Sequence, residues 1–164
     1  RLEVRMPSIC EGYRLAGDKL DQPPRRPAEQ FRPDGWFATG DEYVRDADGF
    51  YHHRGRTGDM LRVSGIWISP SEIEDALAGQ ASVAESAAVL GESEIGLAEI
   101  VLYVVPAASA DHGSAVGAAR EWLAQALPRY KQPRRFEVIA DLPRTATGKI
   151  QRHKLRELLR RDHH

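Results

Sequence analysis

The chain has 164 residues, of which 41% are hydrophobic and 29% are charged, and its formal net charge is −1. This is the composition of an ordinary soluble globular protein, and the small net charge argues against a general nucleic-acid binder. No apolar run approaches the roughly 18 residues of a membrane-spanning helix, so we expect no membrane span. The single cysteine, Cys10, cannot form an internal disulfide, which predicts a reducing, cytoplasmic location.

The first 54 residues predict a series of short strands. Residues 1–6 alternate in polarity, and because they show neither an initiator Met nor a signal-peptide pattern, we expect the chain to begin in mid-sequence. Residues 16–34 are polar and rich in proline, which predicts a loop or a weak helix flanked by loops. Trp36–Val44 predicts strand, turn and strand, and Phe50–Arg54 predicts a further strand. This β meander stops near Arg54.

A second region begins at Gly55. Met60–Val63 and Ile66–Ile68 are short β-prone runs, and Ser64-Gly65 between them predicts a tight hairpin. The residues after the boundary are numerous enough for one α+β unit of about 100 residues, a common size for a domain.

A helix is predicted directly after this hairpin. Ser69 would be its N-cap, Pro70 would occupy its first position, Glu72 would close a capping box, and the helix should end near Gly79. The remaining predictions are two strands, an amphipathic helix, a strand, a loop and a terminal helix: Val83–Leu90, Ile95–Val105, Val116–Leu127, Phe136–Ile139, Pro143–Lys149 and Lys154–Arg161.

Basic residues are concentrated at the C-terminal end. Residues 128–164 contain eleven Lys or Arg and four Asp or Glu, whereas residues 1–127 contain twelve and twenty. Such a segment is usually a solvated face and sometimes an anion site. No metal site is predicted, because the adjacent His52 and His53 would point to opposite faces of a strand.

Three segments carry candidate chemistry. In Gly35–Asp41, the carboxylate of Asp41 at a strand end can accept hydrogen bonds from a ribose diol, although Thr39-Gly40-Asp41 alone is more simply a turn. Gly55–Gly65 is glycine-rich, which suits either a mobile joint or a solvated connector. Pro143–Ile150 is a polar loop whose lysine can bring a charge to an oxyanion, but it lacks the spacing of a Walker A loop.

The order and spacing of these segments resemble the adenylate-forming superfamily of acyl-CoA ligases, peptide-synthetase adenylation domains and luciferases. The residues that carry the resemblance are, in chain order, Thr39–Asp41, Gly55–Asp59, Glu72–Glu74, Leu127–Tyr130 and Pro143–Lys149. Three stretches are most similar to benzoate- and hydroxybenzoate-type CoA ligases: Gly65–Pro70, Tyr130–Pro133 and Thr145–Arg152.

This resemblance implies an α+β fold in which a small C-terminal domain, with a short hairpin and a mostly antiparallel sheet packed by helices, follows β strands from the end of a large N-terminal domain. Residues 1–54 would be the tail of the large domain, 55–58 a hinge, and 59–164 the mobile C-terminal domain. The implied reaction joins an aryl or acyl carboxylic acid to CoA, using ATP and Mg²⁺, through an acyl-AMP. The family's phosphate loop and acid pocket have no counterpart in this sequence, so we expect the chain alone to be inactive.

The resemblance also implies roles for single residues. Asp41 would bind the ribose hydroxyls, Arg56 would contact the nucleotide, and Lys149 would be the catalytic lysine of the adenylation step. A lysine acetyltransferase acting on Lys149 would remove its charge and so switch adenylation off.

For the second step, the resemblance places Ser64, Gly65 and Trp67 in the CoA channel. The family usually has Asp where this chain has Gly58, so the hinge gains freedom of rotation and loses a hydrogen bond.

Three other interpretations remain open. An adenylation domain that loads a carrier protein would share the hinge and lysine motifs, and the sequence around Trp67 is what argues against it. A non-catalytic module of the same fold is the second. A nucleic-acid-binding domain is the third, although the basic tail lacks interleaved aromatic residues.

Overall fold

Two units divide the chain, Arg1–Gly58 and Asp59–His164. The computed structural model describes residues 1–14 and 23–161, so the segment 16–34, predicted as a loop or a weak helix, lies partly outside the described residues. Within these described ranges, no helix combines the length and the apolar character needed to cross a membrane.

The first unit is built from two pairs of short antiparallel strands: β1 (Glu3–Val4) with β2 (Phe37–Ala38), and β3 (Asp41–Arg45) with β4 (Tyr51–Arg56). Phe31 packs edge to face against Phe37, with ring centroids 5.1 Å apart. Of the side chains described in this unit, Phe31 is the one hydrophobic that is buried. The apolar centre of the unit is therefore a small aromatic cluster.

The second unit opens with the predicted hairpin, formed by β5 (Leu61–Val63) and β6 (Ile66–Ile68). Its turn consists of Ser64 and Gly65, whose φ angles of 50° and 83° lie in the left-handed region that such two-residue turns require. Helix α1 (Pro70–Leu77) follows, with Pro70 at its start as predicted.

The capping box predicted at the start of α1 is not formed. The Ser69 side chain makes no cap hydrogen bond to the helix and instead lies 2.8 Å from the Ser71 hydroxyl. Glu72 does not fold back onto the cap, because its carboxylate is paired with the Lys131 ammonium at 2.5 Å. The lysine ammonium is a charged donor, whereas the cap offers only a neutral amide, so the lysine is the stronger partner for the carboxylate.

A three-stranded sheet in the order β7–β8–β9 forms the centre of this unit, with β7 (Val83–Glu92), β8 (Ala98–Pro106) and β9 (Arg135–Val138). β7 and β8 are antiparallel, whereas β9 runs parallel to β8. The apolar run of β8 is almost uninterrupted because both faces of the strand are covered. Its alternate residues enter two separate cores, Ile100, Leu102 and Val104 in one and Val101, Tyr103 and Val105 in the other.

Helices cover the two faces of the sheet. The hairpin, α1 and α2 (His112–Ala126) supply the first core, through residues such as Leu61, Ile73 and Leu123. Helix α3 (Arg152–Arg161) supplies the second core through Leu155 and Leu159. A short 3₁₀ turn, Arg129–Lys131, connects α2 to β9. The predicted α+β class, with a hairpin and a mostly antiparallel sheet packed by helices, is confirmed.

Several element boundaries differ from the prediction by one or two residues, and the starts of α2 and β8 differ by more. α2 begins at His112 rather than Val116, because the Asp111 carboxylate caps it by accepting a hydrogen bond from the Ser114 amide at 2.9 Å. That bond also holds the pKa of the Asp111 carboxyl below its usual range. Ile95 lies in the exposed turn between β7 and β8 and not in the strand predicted to start there.

The packing of α3 can be tested with two leucines on the same helix. Leu155 is fully buried and Leu158 is 36% exposed. Leu155→Ala should lower the free energy of unfolding by about 2–5 kcal/mol, because it leaves a cavity in the core, whereas Leu158→Ala should cost less than about 1 kcal/mol. Urea unfolding followed by tryptophan fluorescence measures both, and equal losses would contradict this packing.

Candidate functional site

Asp41 and Arg56 lie opposite each other where β3 begins and β4 ends. The Arg56 Nε is 3.3 Å from Asp41 Oδ1, and the His53 ring nitrogen lies 3.9 Å from the same oxygen. The Thr39 hydroxyl accepts a hydrogen bond from the Asp41 amide at 3.1 Å, which fixes the start of the strand. The Asp41 side chain remains 23% exposed. The arrangement offers a carboxylate that accepts hydrogen bonds beside a guanidinium that donates them.

Thr57 attaches the end of this unit to the strands before it. Its amide donates to the Gly40 carbonyl and its hydroxyl donates to Glu42 Oε1, both at 2.8 Å. The next residue, Gly58, is the last of the first unit, and a Cβ placed on it would meet nothing within 4 Å. Gly58 therefore lacks the side-chain restraints that hold Thr57.

The tip of the β5–β6 hairpin exposes an aromatic ring beside bare backbone. Trp67 is 59% exposed, and the Arg62 guanidinium lies 5.5 Å from the centroid of its ring. Ser64 and Gly65 form the exposed turn next to it. Leu61 anchors the hairpin in the first core. A ligand that reached this tip would meet a flat ring and accessible peptide groups.

Lys149 stands on a short turn between Arg144 and Ile150, which form an antiparallel bridge. The Thr145 amide donates to the Lys149 carbonyl at 2.8 Å, and the Gly148 amide donates to the Thr145 carbonyl at 2.9 Å. Gly148 has a φ of +83°. The Lys149 side chain is exposed, and among the described residues no hydrogen bond or ion pair to its ammonium is found. The turn presents an uncompensated positive charge.

An ion cluster joins α3 to α1 beside this turn. Arg152 Nη2 lies 2.7 Å and 2.8 Å from the two carboxylate oxygens of Glu74, which also accepts a hydrogen bond from the Ala88 amide at 2.9 Å. The Arg152 Nη1 is 3.9 Å from Asp59, the residue after Gly58. The Arg152 and Glu74 side chains are only 16% and 17% exposed, so the cluster fixes the first turn of α3.

No group of three or more His, Cys, Asp or Glu within the described ranges is arranged to hold a metal ion. His52 pairs with Asp46 at 2.6 Å, and this hydrogen bond is the main cause that holds the pKa of the Asp46 carboxyl below its usual range.

The structure therefore brings together two of the predicted site residues, Asp41 and Arg56, in the first unit. In the second unit it places Ser64, Gly65 and Trp67 on one hairpin and Lys149 on a separate turn. Sequence reasoning missed the side chains that fix these segments. Arg144 and Arg152 have their partners 59 and 78 residues away, and no local pattern indicates such pairs.

Known proteins are similar to this chain in sequence and in fold. The family model described as the AMP-binding enzyme C-terminal domain matches residues 72–149. A 3-hydroxybenzoate/4-hydroxybenzoate CoA ligase of Thauera aromatica is 41% identical over 96% of the chain, and a 3-hydroxybenzoate CoA ligase of Aromatoleum sp. (strain CIB) is 40% identical over 98%. The chain spans 29% of the length of each.

A solved structure gives the same result. The crystal structure of an anthranilate CoA ligase in complex with anthranoyl-AMP superposes with a TM-score of 0.74 at 37% identity, over 80% of this chain and 26% of that one. The chain thus carries an AMP-binding enzyme C-terminal domain, and its fold matches that domain in adenylate-forming ligases. Within that family it is similar to CoA ligases of aromatic acids, which confirms the resemblance to benzoate- and hydroxybenzoate-type ligases.

The turn that carries Lys149 depends on the backbone of Gly148. An L-residue at a φ of +83° is strained by roughly 1–2 kcal/mol, so Gly148→Ala should destabilise the turn and shift the amide resonance of Lys149 in NMR spectra. Gly117 lies in the middle of α2, where alanine is preferred by up to about 1 kcal/mol, so Gly117→Ala should stabilise the chain. Thermal unfolding compares the two variants. If Gly148→Ala and Gly117→Ala changed the melting temperature in the same direction, this account of the turn would be wrong.

Proposed function

We propose that this chain is the C-terminal portion of an ATP-dependent carboxylic acid–CoA ligase whose substrate is an aryl or acyl acid. The alignment of nearly the whole chain with hydroxybenzoate CoA ligases carries the proposal. The chain covers less than a third of those relatives, so the activity is proposed for the whole protein. The proposal includes a cytoplasmic location, which an exposed free Cys10 supports, because disulfides are rare in a reducing compartment.

The proposed reaction has two steps. A carboxylate oxygen of the acid attacks the α-phosphorus of ATP, the bond to the bridging oxygen breaks, and pyrophosphate leaves, giving the acyl-AMP. The CoA thiol then loses its proton and attacks the acyl carbon, and AMP leaves, giving the thioester. Mg²⁺ would accompany the ATP phosphates. The described residues of this chain offer no metal cluster, so the proposal gives them no role in holding the ion.

Asp41 is proposed to accept hydrogen bonds from the ribose hydroxyls, and Arg56 to contact the nucleotide. The support is geometric, because both groups stand together at the end of a strand pair and Asp41 is partly exposed. A carboxylate suits a diol because each of its oxygens can accept a hydroxyl hydrogen bond.

Lys149 is proposed as the catalytic lysine of adenylation. The acid carboxylate, the α-phosphate and the leaving pyrophosphate bring negative charges close together, and a cation placed there stabilises the transition state more than the ground state. An exposed ammonium without a described counter-ion suits this role. The exposure also suits the proposed acetylation, which would remove the charge.

Ser64, Gly65 and Trp67 are proposed to line the CoA channel in the second step. The exposed turn lets backbone groups approach a ligand closely, because Gly65 has no side chain, and the Trp67 ring provides an apolar wall.

Gly58 is proposed as the hinge, within residues 55–58, between the tail of a large adenylation domain (1–54) and a mobile domain (59–164). The division of the chain after Gly58 and the open space around this residue support the proposal. Because glycine is permissive in φ and ψ, rotation here would be easier than at the aspartate usual in the family.

The role of Lys149 is tested in the full-length protein with a panel of benzoate-like and fatty acids. Lys149→Ala should slow pyrophosphate release by about 100- to 1,000-fold, and Lys149→Gln, which mimics the acetylated side chain, should do the same. Thioester formation from supplied acyl-AMP should persist in both variants. Lys154→Ala, which removes an exposed lysine on α3, is the matched control. Full adenylation by Lys149→Ala would refute the assignment.

The hinge is tested by Gly58→Pro. Proline fixes φ near −65°, so the domain should be held in a narrow range of orientations and one half-reaction should be suppressed while the other persists. Gly58→Ala keeps most backbone freedom and meets no neighbouring atom, so it should leave both half-reactions near the wild-type rate. Separate assays of acyl-AMP formation and of thioester formation measure the two rates. If both rates were unchanged in Gly58→Pro, Gly58 would not be the hinge.

A further inference from the structure

One arginine connects the central sheet to the turn that carries Lys149. Arg144 Nη2 lies 2.5 Å from Glu85 Oε1 on β7, and Arg144 Nη1 donates a hydrogen bond of 2.8 Å to the carbonyl of Gly148. That carbonyl belongs to the peptide group that precedes Lys149. A single guanidinium therefore touches both the sheet and the peptide bond next to the lysine.

The other hydrogen bonds of the turn do not attach it to the sheet. The bonds between Thr145 and Gly148, and between Thr145 and Lys149, lie within the turn and fix its shape. The bond from the Gln151 amide to the Pro143 carbonyl, at 2.7 Å, closes the base of the turn. A fourth bond, from the Lys149 amide to the Thr145 hydroxyl at 3.1 Å, also lies within the turn, and none of the four reaches the sheet. The Arg144–Glu85 pair does, and it adds a polar attachment to the apolar contacts that Leu142 and Ile150 make in the second core.

The charges of the pair also indicate what Arg144 does. The Glu85 carboxylate compensates the guanidinium, and both terminal nitrogens already have partners. Arg144 is therefore poorly placed to bind a phosphate itself, in contrast to the uncompensated Lys149. The two side chains of the pair are 39% and 45% exposed, and exposed ion pairs contribute little to global stability. Its removal should act locally on the turn.

We infer that Arg144 is a positioning residue for adenylation. Paired with Glu85, it holds the peptide group between Gly148 and Lys149 and so orients the backbone from which the Lys149 side chain projects. This inference rests on the proposed function, because it assumes that Lys149 acts in the first step. It gives Arg144 no part in the second step, for which a different segment is proposed.

The test uses the full-length protein and measures the two half-reactions separately. Arg144→Met keeps a long side chain and removes both bonds. It should lower the kcat of acyl-AMP formation by about 10- to 100-fold, the cost of a displacement near 1 Å, while the KM values for ATP and acid change less than about twofold. Thioester formation from supplied acyl-AMP should stay at the wild-type rate. Arg160→Met, at an exposed position on α3, is the control and should change neither step.

Two further variants separate positioning from a general effect of charge. Arg144→Lys can keep the ion pair with Glu85 but cannot span both partners with a fixed fork, so it should restore only part of the rate. Glu85→Gln keeps a hydrogen-bond acceptor and should lose less than Arg144→Met. Hydrogen exchange of the Gly148 and Lys149 amides, measured in the same proteins, should be faster in Arg144→Met and unchanged in Arg160→Met.

The outcomes are distinct. Arg144→Met with adenylation within twofold of wild type, while Lys149→Ala abolishes it, would overturn the inference and leave the proposed function intact. An equal loss in both half-reactions would also overturn it, because it would show a general structural role. Normal adenylation by Lys149→Ala would refute the proposed function, and the inference with it.

Discussion

The burial of β8 on both of its faces is the constraint on which the second unit depends. Alternate side chains of a strand point to opposite faces, so Leu102 and its neighbours enter one core while Tyr103 and its neighbours enter the other. The hairpin is anchored in the first core through Leu61 and Ile68. Leu142 and Ile150, which flank the lysine turn, pack in the second. The hairpin and the lysine turn therefore pack against different faces of the sheet.

The sequence was most informative where a local pattern determines the structure. The Ser64-Gly65 turn follows from a glycine that tolerates positive φ between two short β-prone runs, and the long apolar run of β8 follows from burial. Long-range partners were not predictable. Glu72 fits a capping box by spacing, but Lys131 lies 59 residues later and takes its carboxylate. The parallel pairing of β9 with β8 also has no local signature, because pairing depends on the path of the chain through α2. In the candidate site, sequence motifs are enough to select the residues proposed to act. The residues that hold them in place, such as Arg144 and Arg152, have distant partners that only the three-dimensional structure shows.

The boundary between the two units is restrained on each side by different groups. Thr57 is held by backbone and side-chain hydrogen bonds to Gly40 and Glu42. Asp59 lies near Arg152, which is fixed by Glu74 on α1. Gly58 stands between these two attachments and has no side chain to restrain it. Of these three residues, Gly58 has the least restrained backbone, so a proline there should restrict the proposed hinge with little effect on the packing of either unit.

The ion pairs near the candidate site also distinguish Lys149 from the arginines. Arg56 is paired with Asp41, Arg144 with Glu85 and Arg152 with Glu74, so each guanidinium is compensated by a carboxylate. Lys149 has no such partner among the described residues. An ammonium on a flexible stem is a compact charge that can follow an anion, whereas a paired guanidinium is better at fixing geometry. Arg144 and Arg152 can therefore hold the scaffold while Lys149 keeps its charge for a ligand. An anion that approaches the lysine turn would therefore meet an uncompensated charge at Lys149, the residue proposed to act in adenylation.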